Sequence, residues 1–155
     1  MIRKPFLFIL LSAVLLAACG KTPLSETGLK AENSIATVRD LTSAYERRDI
    51  TAFMDKVSSA YPDRAEFQRS VEKVFATYQS ISLKALFNRA VITVPYRGSL
   101  KVTFTWEGEW QSTSGKVVKD GAQAILILDP GTLKLANIEG KNLFLPSEAP
   151  IPLRQ

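Results

Sequence analysis

The spacing of apolar residues changes once along the chain, near Ser80, and this change limits the folds that the sequence can adopt. Before it, apolar residues recur at intervals of three and four, which is the spacing of an amphipathic helix. After it, they alternate with polar residues, as they do along a strand that buries one face. Helices that precede a run of strands joined by short turns indicate an α+β fold. We therefore expect three N-terminal helices packed on a four-stranded antiparallel sheet.

The three predicted helices span about 31–48, 50–59 and 63–78. Asp49 is placed to cap the second helix through its carboxylate. At the start of the third helix, Asp63 and Glu66 have the spacing of a capping box. The third helix has the clearest apolar stripe, which comprises Phe67, Val71, Val74, Phe75 and Tyr78. Its pattern predicts a helix that buries one face.

The four predicted strands span about 81–94, 98–111, 117–129 and 133–140, and the first has room for a bulge. Two loop lengths are compatible with the "STSGK" turn at 112–116. A two-residue loop would pair Phe104 with Ile125. A three-residue loop would pair Trp106 with Ala124, and it gathers one continuous apolar face, so patterning favours it.

The third strand contains "AILIL" at 124–128, which is apolar on both faces. Such a run is typical of a central strand whose second face is also covered. Packing of two sheets in a homodimer would cover it. A purely structural homodimer that docks by its sheet face is therefore one alternative for the function of the chain.

The N-terminus has the layout of an export signal. Arg3 and Lys4 precede an apolar run from Phe6 to Leu16, which is shorter than the roughly 20 residues that span a membrane. Small residues then lead to Cys19, the only cysteine, so no disulfide can form within the chain. Residues 1–18 are therefore predicted to be a signal peptide.

Leu16-Ala17-Ala18-Cys19 resembles the lipobox of bacterial lipoproteins. The resemblance implies lipid attachment to the Cys19 sulfur, cleavage before Cys19 and acylation of the new N-terminus. Two or more acyl chains give stable anchoring, whereas one gives only marginal binding. We expect an exported protein anchored in the bacterial cell envelope. Because Gly20 stands where an aspartate commonly signals inner-membrane retention, the periplasmic face of an outer membrane is favoured if the organism has one, and Lys21 leaves the choice of membrane open.

The mature chain is predicted to have three parts. Residues 19–30 form a polar, lipidated tether without apolar periodicity, and residues 31–142 form the domain. Residues 143–155 form a proline-rich tail, in which Pro146, Pro150 and Pro152 exclude a helix. The formal net charge is +5, but charges of both signs alternate without a long basic run, so nucleic acid is not an expected partner.

The segment "AYERRDITAFMDKVS" at 44–58 resembles the nuclear transport factor 2-like superfamily, as does the order of helices and strands over about 31–142. The resemblance implies a cone in which a curved sheet wraps around helices. Many members insert a small strand between the second and third helices, and "SAYPDR" at 59–64 is too short for one. Enzymes with this cone, such as ketosteroid isomerase and scytalone dehydratase, generally use an aspartate, histidine or tyrosine in the pocket.

The composition argues against most of that chemistry. The chain contains no histidine, whose ordinary pKa best suits proton transfer near neutral pH. Cys19 cannot act as a nucleophile once it is acylated. We therefore expect a non-catalytic ligand-binding or assembly module that needs no cofactor and no metal. The alternative is a small enzyme of the dehydratase, isomerase or cyclase type that uses the cone pocket.

Two sets of residues are candidates for a site. The first is aromatic, could line a pocket for an apolar ligand, and comprises Tyr45, Tyr78, Phe104, Trp106 and Trp110. Trp110 is expected to be the most exposed of them, although a simple core is the more common role of such a set. The second is the pair Glu107 and Glu109, which fall on one side of a strand about 6.5–7 Å apart. Paired carboxylates can divide acid and base roles or hold a cation, but a solvent-facing strand surface is the favoured interpretation.

Overall fold

The computed structural model describes residues 25–93 and 99–147, with the backbone alone at 88–90. The helices within them are α1 (Glu26–Glu46), α2 (Ile50–Asp55) and α3 (Arg64–Thr77). The strands are β1 (Tyr78–Thr93), β2 (Leu100–Ser112), β3 (Val117–Leu128) and β4 (Leu135–Gly140). The sheet is antiparallel in the order β1-β2-β3-β4, so each strand pairs with its neighbour in sequence. The predicted α+β class, with three helices followed by an antiparallel sheet, is confirmed.

Helix α1 begins at Glu26, about five residues before the predicted start. The hydroxyl of Ser25 caps it by accepting a hydrogen bond from the Gly28 N–H at 3.2 Å, and Lys30 pairs with Glu26 at 2.7 Å. Local polar contacts, rather than an apolar stripe, therefore support the first turns of this helix. Residues 26–30, which the sequence assigned to the tether, are helical. Cys19 and the predicted signal peptide lie outside the described residues.

The corner between α1 and α2 is fixed by hydrogen bonds. The Asp49 carboxylate accepts from the Ala52 N–H at 2.9 Å, which confirms the predicted cap of α2. Arg48 adopts a left-handed backbone conformation with φ of 55°, and its guanidinium donates to the Tyr78 carbonyl at 3.2 Å. The corner therefore ties the end of α1 to the start of the sheet.

Helix α3 buries the predicted stripe at Phe67, Val71 and Val74. The predicted capping box is wrong, because Asp63 has a φ of 48° and its side chain makes no capping hydrogen bond. Tyr78, which the pattern placed in the helix, is the first residue of β1. Helix α3 therefore passes into β1 without a loop.

The β2–β3 register places Phe104 opposite Ala124 and Trp106 opposite Ala122. The favoured prediction was wrong by two residues, although it assigned the correct side chains to the buried face. A three-residue turn at 113–115 closes the hairpin: the Ser112 N–H donates to the Lys116 carbonyl at 2.8 Å, and Gly115 has a φ of 83°. Bulky rings therefore lie opposite alanines, and the small alanine side chains leave room for the rings within one layer.

Strand β1 changes register between Leu86 and Val91, at the place where the sequence left room for a bulge. At the other edge, β4 covers only the Ala124–Leu128 half of β3. A single parallel bridge joins Leu135 to Val57, in the segment after α2. The connection between α2 and α3, which the sequence showed to be too short for an inserted strand, thus makes only this one-residue bridge to the sheet.

The three helices cover one face of the sheet, and the core lies between the two layers. Its largest fully buried side chains include Trp106, Trp110, Tyr45, Phe53, Phe104 and Phe144. The core thus takes in Leu143 and Phe144, which the sequence assigned to the C-terminal tail. Within the described part of the chain, no helix is both long enough and apolar enough to cross a membrane.

Candidate functional site

All five aromatic residues of the first candidate set lie inside the cone, and each is at most 3% exposed. They are Tyr45, Tyr78, Phe104, Trp106 and Trp110. The expectation that Trp110 is the most exposed is wrong, since its side chain is fully buried. Gly108 provides the space, because a Cβ atom there would lie 2.2 Å from Cη2 of the Trp110 indole. The structure therefore brings the set together as packed core.

A chain of hydrogen bonds crosses this interior. The indole Nε1 of Trp110 donates to the Tyr45 hydroxyl at 3.0 Å, and that hydroxyl donates to the Phe144 carbonyl at 2.7 Å. Burial raises the pKa of Tyr45 above its ordinary value, even though the hydrogen bond from Trp110 acts to lower it. The Tyr45 hydroxyl is therefore protonated at physiological pH, and its donor and acceptor capacity both serve the fold.

Phe144 fills the space beside Tyr45. Its ring centroid lies 4.8 Å from that of Phe53, 5.1 Å from that of Tyr45 and 6.5 Å from that of Phe67, all in tilted or edge-on geometries. The Asn142 side-chain oxygen accepts from the Phe144 N–H at 2.9 Å. Segment 141–147 therefore inserts an aromatic side chain between the helices and closes the interior there.

Asp120 on β3 holds that segment at both ends. Its carboxylate accepts from the Lys141 ammonium and, at 2.9 Å, from the Ser147 hydroxyl. Partial burial acts to raise the pKa of Asp120, but the hydrogen bonds from Lys141, Ser147 and the Gly121 backbone outweigh it and lower the pKa. Sequence reasoning missed this residue. Its only local signal is an Asp-Gly pair inside a strand, which resembles a turn.

The indole Nε1 of Trp106 is buried and has no hydrogen-bond partner among the described residues. Its ring meets that of Trp110 edge-on, with centroids 6.2 Å apart and planes at 88°. A buried donor without a partner costs about 1–3 kcal/mol. At this N–H the interior is therefore left with an unsatisfied polar group.

Glu107 and Glu109 lie on the opposite, outer face of the sheet. The carboxylate of Glu109 pairs with the Lys119 ammonium at 3.0 Å, and both side chains are at least half exposed. They border a shallow depression of about 600 Å³, lined by Ser82, Lys84, Glu107, Gly108, Glu109, Lys119, Asp120 and Gly121. Within the described residues, no three acidic, cysteine or histidine side chains are grouped to hold a metal ion.

A second depression of about 420 Å³ lies between the α2–α3 connection and the β3–β4 turn. Arg64 borders it and donates to the Met54 carbonyl at 3.0 Å. Asp129 on the other side accepts from the Thr132 N–H and hydroxyl and from the Gly131 N–H, and these bonds lower its pKa. Both charged groups therefore serve local structure.

Searches with the sequence and with the structure give different results. No protein-family model matches the sequence, and no curated protein matches it. Solved structures do match. A protein of the nuclear transport factor 2-like superfamily from Salmonella enterica subsp. enterica serovar Typhimurium str. LT2 is 13% identical, with a TM-score of 0.58, over 74% of this chain and 90% of that chain.

Two further structures are described by activity. A proposed scytalone dehydratase from Novosphingobium aromaticivorans DSM 12444 is 11% identical, with a TM-score of 0.64, over 74% of this chain and 85% of that chain. A ketosteroid isomerase-like protein from Erwinia carotovora atroseptica SCRI1043 is 17% identical, with a TM-score of 0.52, over 66% of this chain and 88% of that chain. The domain thus has the nuclear transport factor 2-like fold. At these identities the likeness defines the fold alone, because one fold hosts many functions.

Proposed function

We propose that this chain is a lipid-anchored protein of the bacterial cell envelope whose cone domain acts as a non-catalytic binding or assembly module. The observation that carries the proposal is the occupation of the cone interior by Phe144. Its ring lies between Tyr45, Phe53 and Phe67, and its carbonyl accepts the Tyr45 hydroxyl. A side chain of the protein itself thus fills space that a substrate of a cone enzyme would need.

The polar groups of the interior support the same conclusion. Proton transfer requires a group within hydrogen-bond reach of the substrate and with a pKa near the working pH. The Tyr45 hydroxyl bonds to Trp110 and Phe144, and burial raises its pKa away from neutrality. Glu107 and Glu109 face away from the interior, and Glu109 pairs with Lys119. These contacts favour recognition on the surface over chemistry inside the cone.

The anchor is supported by the sequence at 16–20. An apolar run too short to span a membrane is followed by small residues and one cysteine. Lipoprotein signals have their residues in this order. Helix α1 begins at Glu26, so only a few residues separate Cys19 from the folded domain. Anchoring through Cys19 would therefore hold the domain close to the membrane surface.

Mass spectrometry and detergent phase separation of natively expressed protein test the anchor. The wild-type chain should enter the detergent phase with a mass that corresponds to acylated Cys19 at the N-terminus. A Cys19→Ser variant should stay in the aqueous phase, and Gly20→Ala is the matched control that should retain the lipid. An unmodified wild-type cysteine, or a Cys19→Ser variant that still enters the detergent phase after signal cleavage, would contradict the proposal.

The filled interior is tested by opening it. Phe144→Ala should leave a cavity that binds small apolar probes such as indole, because engineered apolar cavities stay dry and accept such ligands. Wild-type protein should not bind the same probe, and neither should Leu145→Ala, whose side chain lies at the edge of the core. Tight probe binding by the wild-type protein would show that the interior is already open.

The second candidate is an enzyme of the dehydratase, isomerase or cyclase type. It is favoured by the likeness to structures described as a proposed scytalone dehydratase and a ketosteroid isomerase-like protein. The unpartnered indole N–H of Trp106 would then bind a substrate oxygen. Native mass spectrometry separates the two candidates. If the protein is an enzyme, the wild type should bind an exchangeable ligand and convert it chemically, and the Tyr45→Phe variant should no longer convert it.

A further inference from the structure

We propose that the cone domain meets the lipid bilayer with one fixed end, and that the β2–β3 hairpin points away from the membrane. The end that meets the lipid, called the anchor end below, carries the first turns of α1, the last residues of β1 and the β3–β4 turn at 129–134. The opposite end carries the α1–α2 corner and the hairpin turn at 113–115. The proposal rests on the lipid anchor at Cys19 and adds to it the surface that faces the lipid.

Helix α1 lies along β1, and its contacts show its direction. Near the end of the helix, the Glu46 carboxylate accepts from the Leu83 N–H at 2.7 Å. Seven residues earlier in the helix, the guanidinium of Arg39 lies 5.5 Å from the centroid of the Phe87 ring. Helix α1 therefore runs antiparallel to β1, and its first residue, Glu26, lies at the anchor end.

The length of the chain before α1 excludes the inverted orientation. About six peptide units separate Cys19 from Ser25, and at about 3.6 Å per unit they reach no further than about 22 Å. Helix α1 has 21 residues and is therefore about 31 Å long. If the domain stood on its hairpin end, Ser25 would lie about 31 Å above the membrane, which is beyond the reach of a lipid on Cys19.

The side chains of the anchor end suit a lipid surface. Among the described residues, the two most exposed large apolar side chains are Val91 at 58% and Leu29 at 48%. Leu29 lies in the first turns of α1 and Val91 lies near the end of β1, so both belong to the anchor end. The first buried residue of α1 is Ser34, so residues 26–33 are not enclosed by the core. Apolar side chains placed in this way enter the boundary between headgroups and acyl chains.

Charge contributes little to this contact. Lys30 pairs with Glu26 at 2.7 Å, and Lys101 at the start of β2 pairs with Glu139 at 3.0 Å. Carboxylates therefore already neutralise these two lysines of the anchor end, which reduces their attraction for anionic headgroups. The short tether sets the orientation, and the apolar side chains stabilise it.

Fluorescence energy transfer to labelled lipid tests the orientation on the full, natively acylated chain in phosphatidylcholine vesicles with an acceptor dye on the headgroups. Because Cys19 is the only cysteine and the lipid blocks its sulfur, an introduced cysteine alone takes the donor dye. Asn33→Cys and Lys134→Cys place the donor at the anchor end. Thr113→Cys places it in the hairpin turn, and all three positions are exposed.

We expect efficient transfer from positions 33 and 134 and at least about threefold less from position 113, because the two ends of β3 are about 37 Å apart at about 3.4 Å per residue. Replacing part of the phosphatidylcholine by phosphatidylglycerol should leave this difference unchanged. A difference that appears only with the anionic lipid would overturn the role given to the tether.

A longer tether is the control for the cause of the orientation. Insertion of about twelve Gly and Ser residues after Lys21 lets Ser25 move further from the lipid, so the difference between positions 33 and 113 should narrow to less than about half. An unchanged difference would show that the tether does not set the orientation.

Mass spectrometry of the same samples keeps this proposal distinct from the anchor itself. A chain without acyl groups would contradict the anchor and the orientation with it. An acylated chain with equal transfer from all three positions would lie on its side, and one with the most efficient transfer from position 113 would be inverted. Either of these results would overturn the orientation and leave the anchor in place.

Discussion

The indole of Trp110 and the hydroxyl of Tyr45, 65 residues apart in sequence, share a buried hydrogen bond of 3.0 Å. It links the last part of β2 to the last turn of α1, and the same hydroxyl continues to the Phe144 carbonyl at 2.7 Å. Three distant segments thus meet at one oxygen atom. Because buried polar groups are costly without partners, this oxygen determines how the three segments can pack.

Removing that oxygen should weaken the fold. Tyr45→Phe leaves the Trp110 N–H without its acceptor and the Phe144 carbonyl without its donor, and we expect a loss of about 1–3 kcal/mol in the free energy of unfolding. Urea denaturation followed by tryptophan fluorescence measures the loss. Tyr61→Phe is the matched control, because Tyr61 is partly exposed and stacks on Phe67 through its ring. Equal stability of Tyr45→Phe and wild type would mean that the hydrogen bonds are replaced.

Gly108 on β2 should not tolerate a methyl group. Its added Cβ would lie 2.2 Å and 2.5 Å from ring carbons of Trp110, and that ring is fully enclosed. Gly108→Ala should therefore cost about 1–3 kcal/mol through overpacking and should change the near-ultraviolet circular dichroism of the tryptophans. Gly131→Ala is the control, since its Cβ would meet Asp129 at an ordinary 3.5 Å. An unchanged spectrum in Gly108→Ala would contradict the packing described for Trp110.

The cap of α2 should contribute separately to the free energy of unfolding, and by a smaller amount. Asp49→Ala removes the acceptor for the Ala52 N–H, and the loss should be about 1 kcal/mol. Thermal unfolding measures it. Asp55→Ala, at the other end of the same helix, should change the stability by less than about 0.5 kcal/mol. If both variants lost the same amount, a general charge effect would explain the loss better than the cap.

The Asp120 carboxylate should make the C-terminal segment sensitive to acid. Its pKa is lowered in the fold relative to its ordinary value of 3.8, so the folded state favours the ionised form. The stability that it contributes is therefore complete above about pH 4 and is lost as the pH falls through the lowered pKa. Asp120→Asn should be less stable than wild type near neutral pH, by about 1–2 kcal/mol, and the difference should narrow below pH 4.

Denaturation at several pH values checks this prediction. Asp129 also has a lowered pKa, so the Asp120→Asn variant retains some acid sensitivity of its own. A constant difference between Asp120→Asn and wild type from pH 7 to pH 3 would mean that the contacts to Lys141 and Ser147 do not depend on the charge of Asp120.

The local patterns predicted most of the fold. The stripe of Phe67, Val71 and Val74 and the alternation along β2 correctly identified the buried faces, because both depend on residues close in sequence. The register between β2 and β3 was wrong by two residues. Alternation fixes the face of a strand but is unchanged by a shift of two, and the turn geometry at Gly115 decides between the remaining choices.

The candidate site could be predicted only in part. The sequence identified the aromatic residues of the interior and the outward direction of Glu107 and Glu109. It could not reveal that Phe144 enters the core or that Asp120 holds its segment, because both depend on contacts between residues far apart in sequence. Trp110 was misplaced because the space for its indole comes from Gly108, whose pattern alone suggested a bulge.

The burial of Phe144 also determines when the domain can fold. The ring of Phe144 completes the layer between Tyr45 and Phe53. This layer remains incomplete until residue 144 is available. A chain that has been synthesised only as far as β4 therefore lacks part of its interior. If the chain is exported as proposed, late completion of the core would help to keep it unfolded while it passes through a translocation channel.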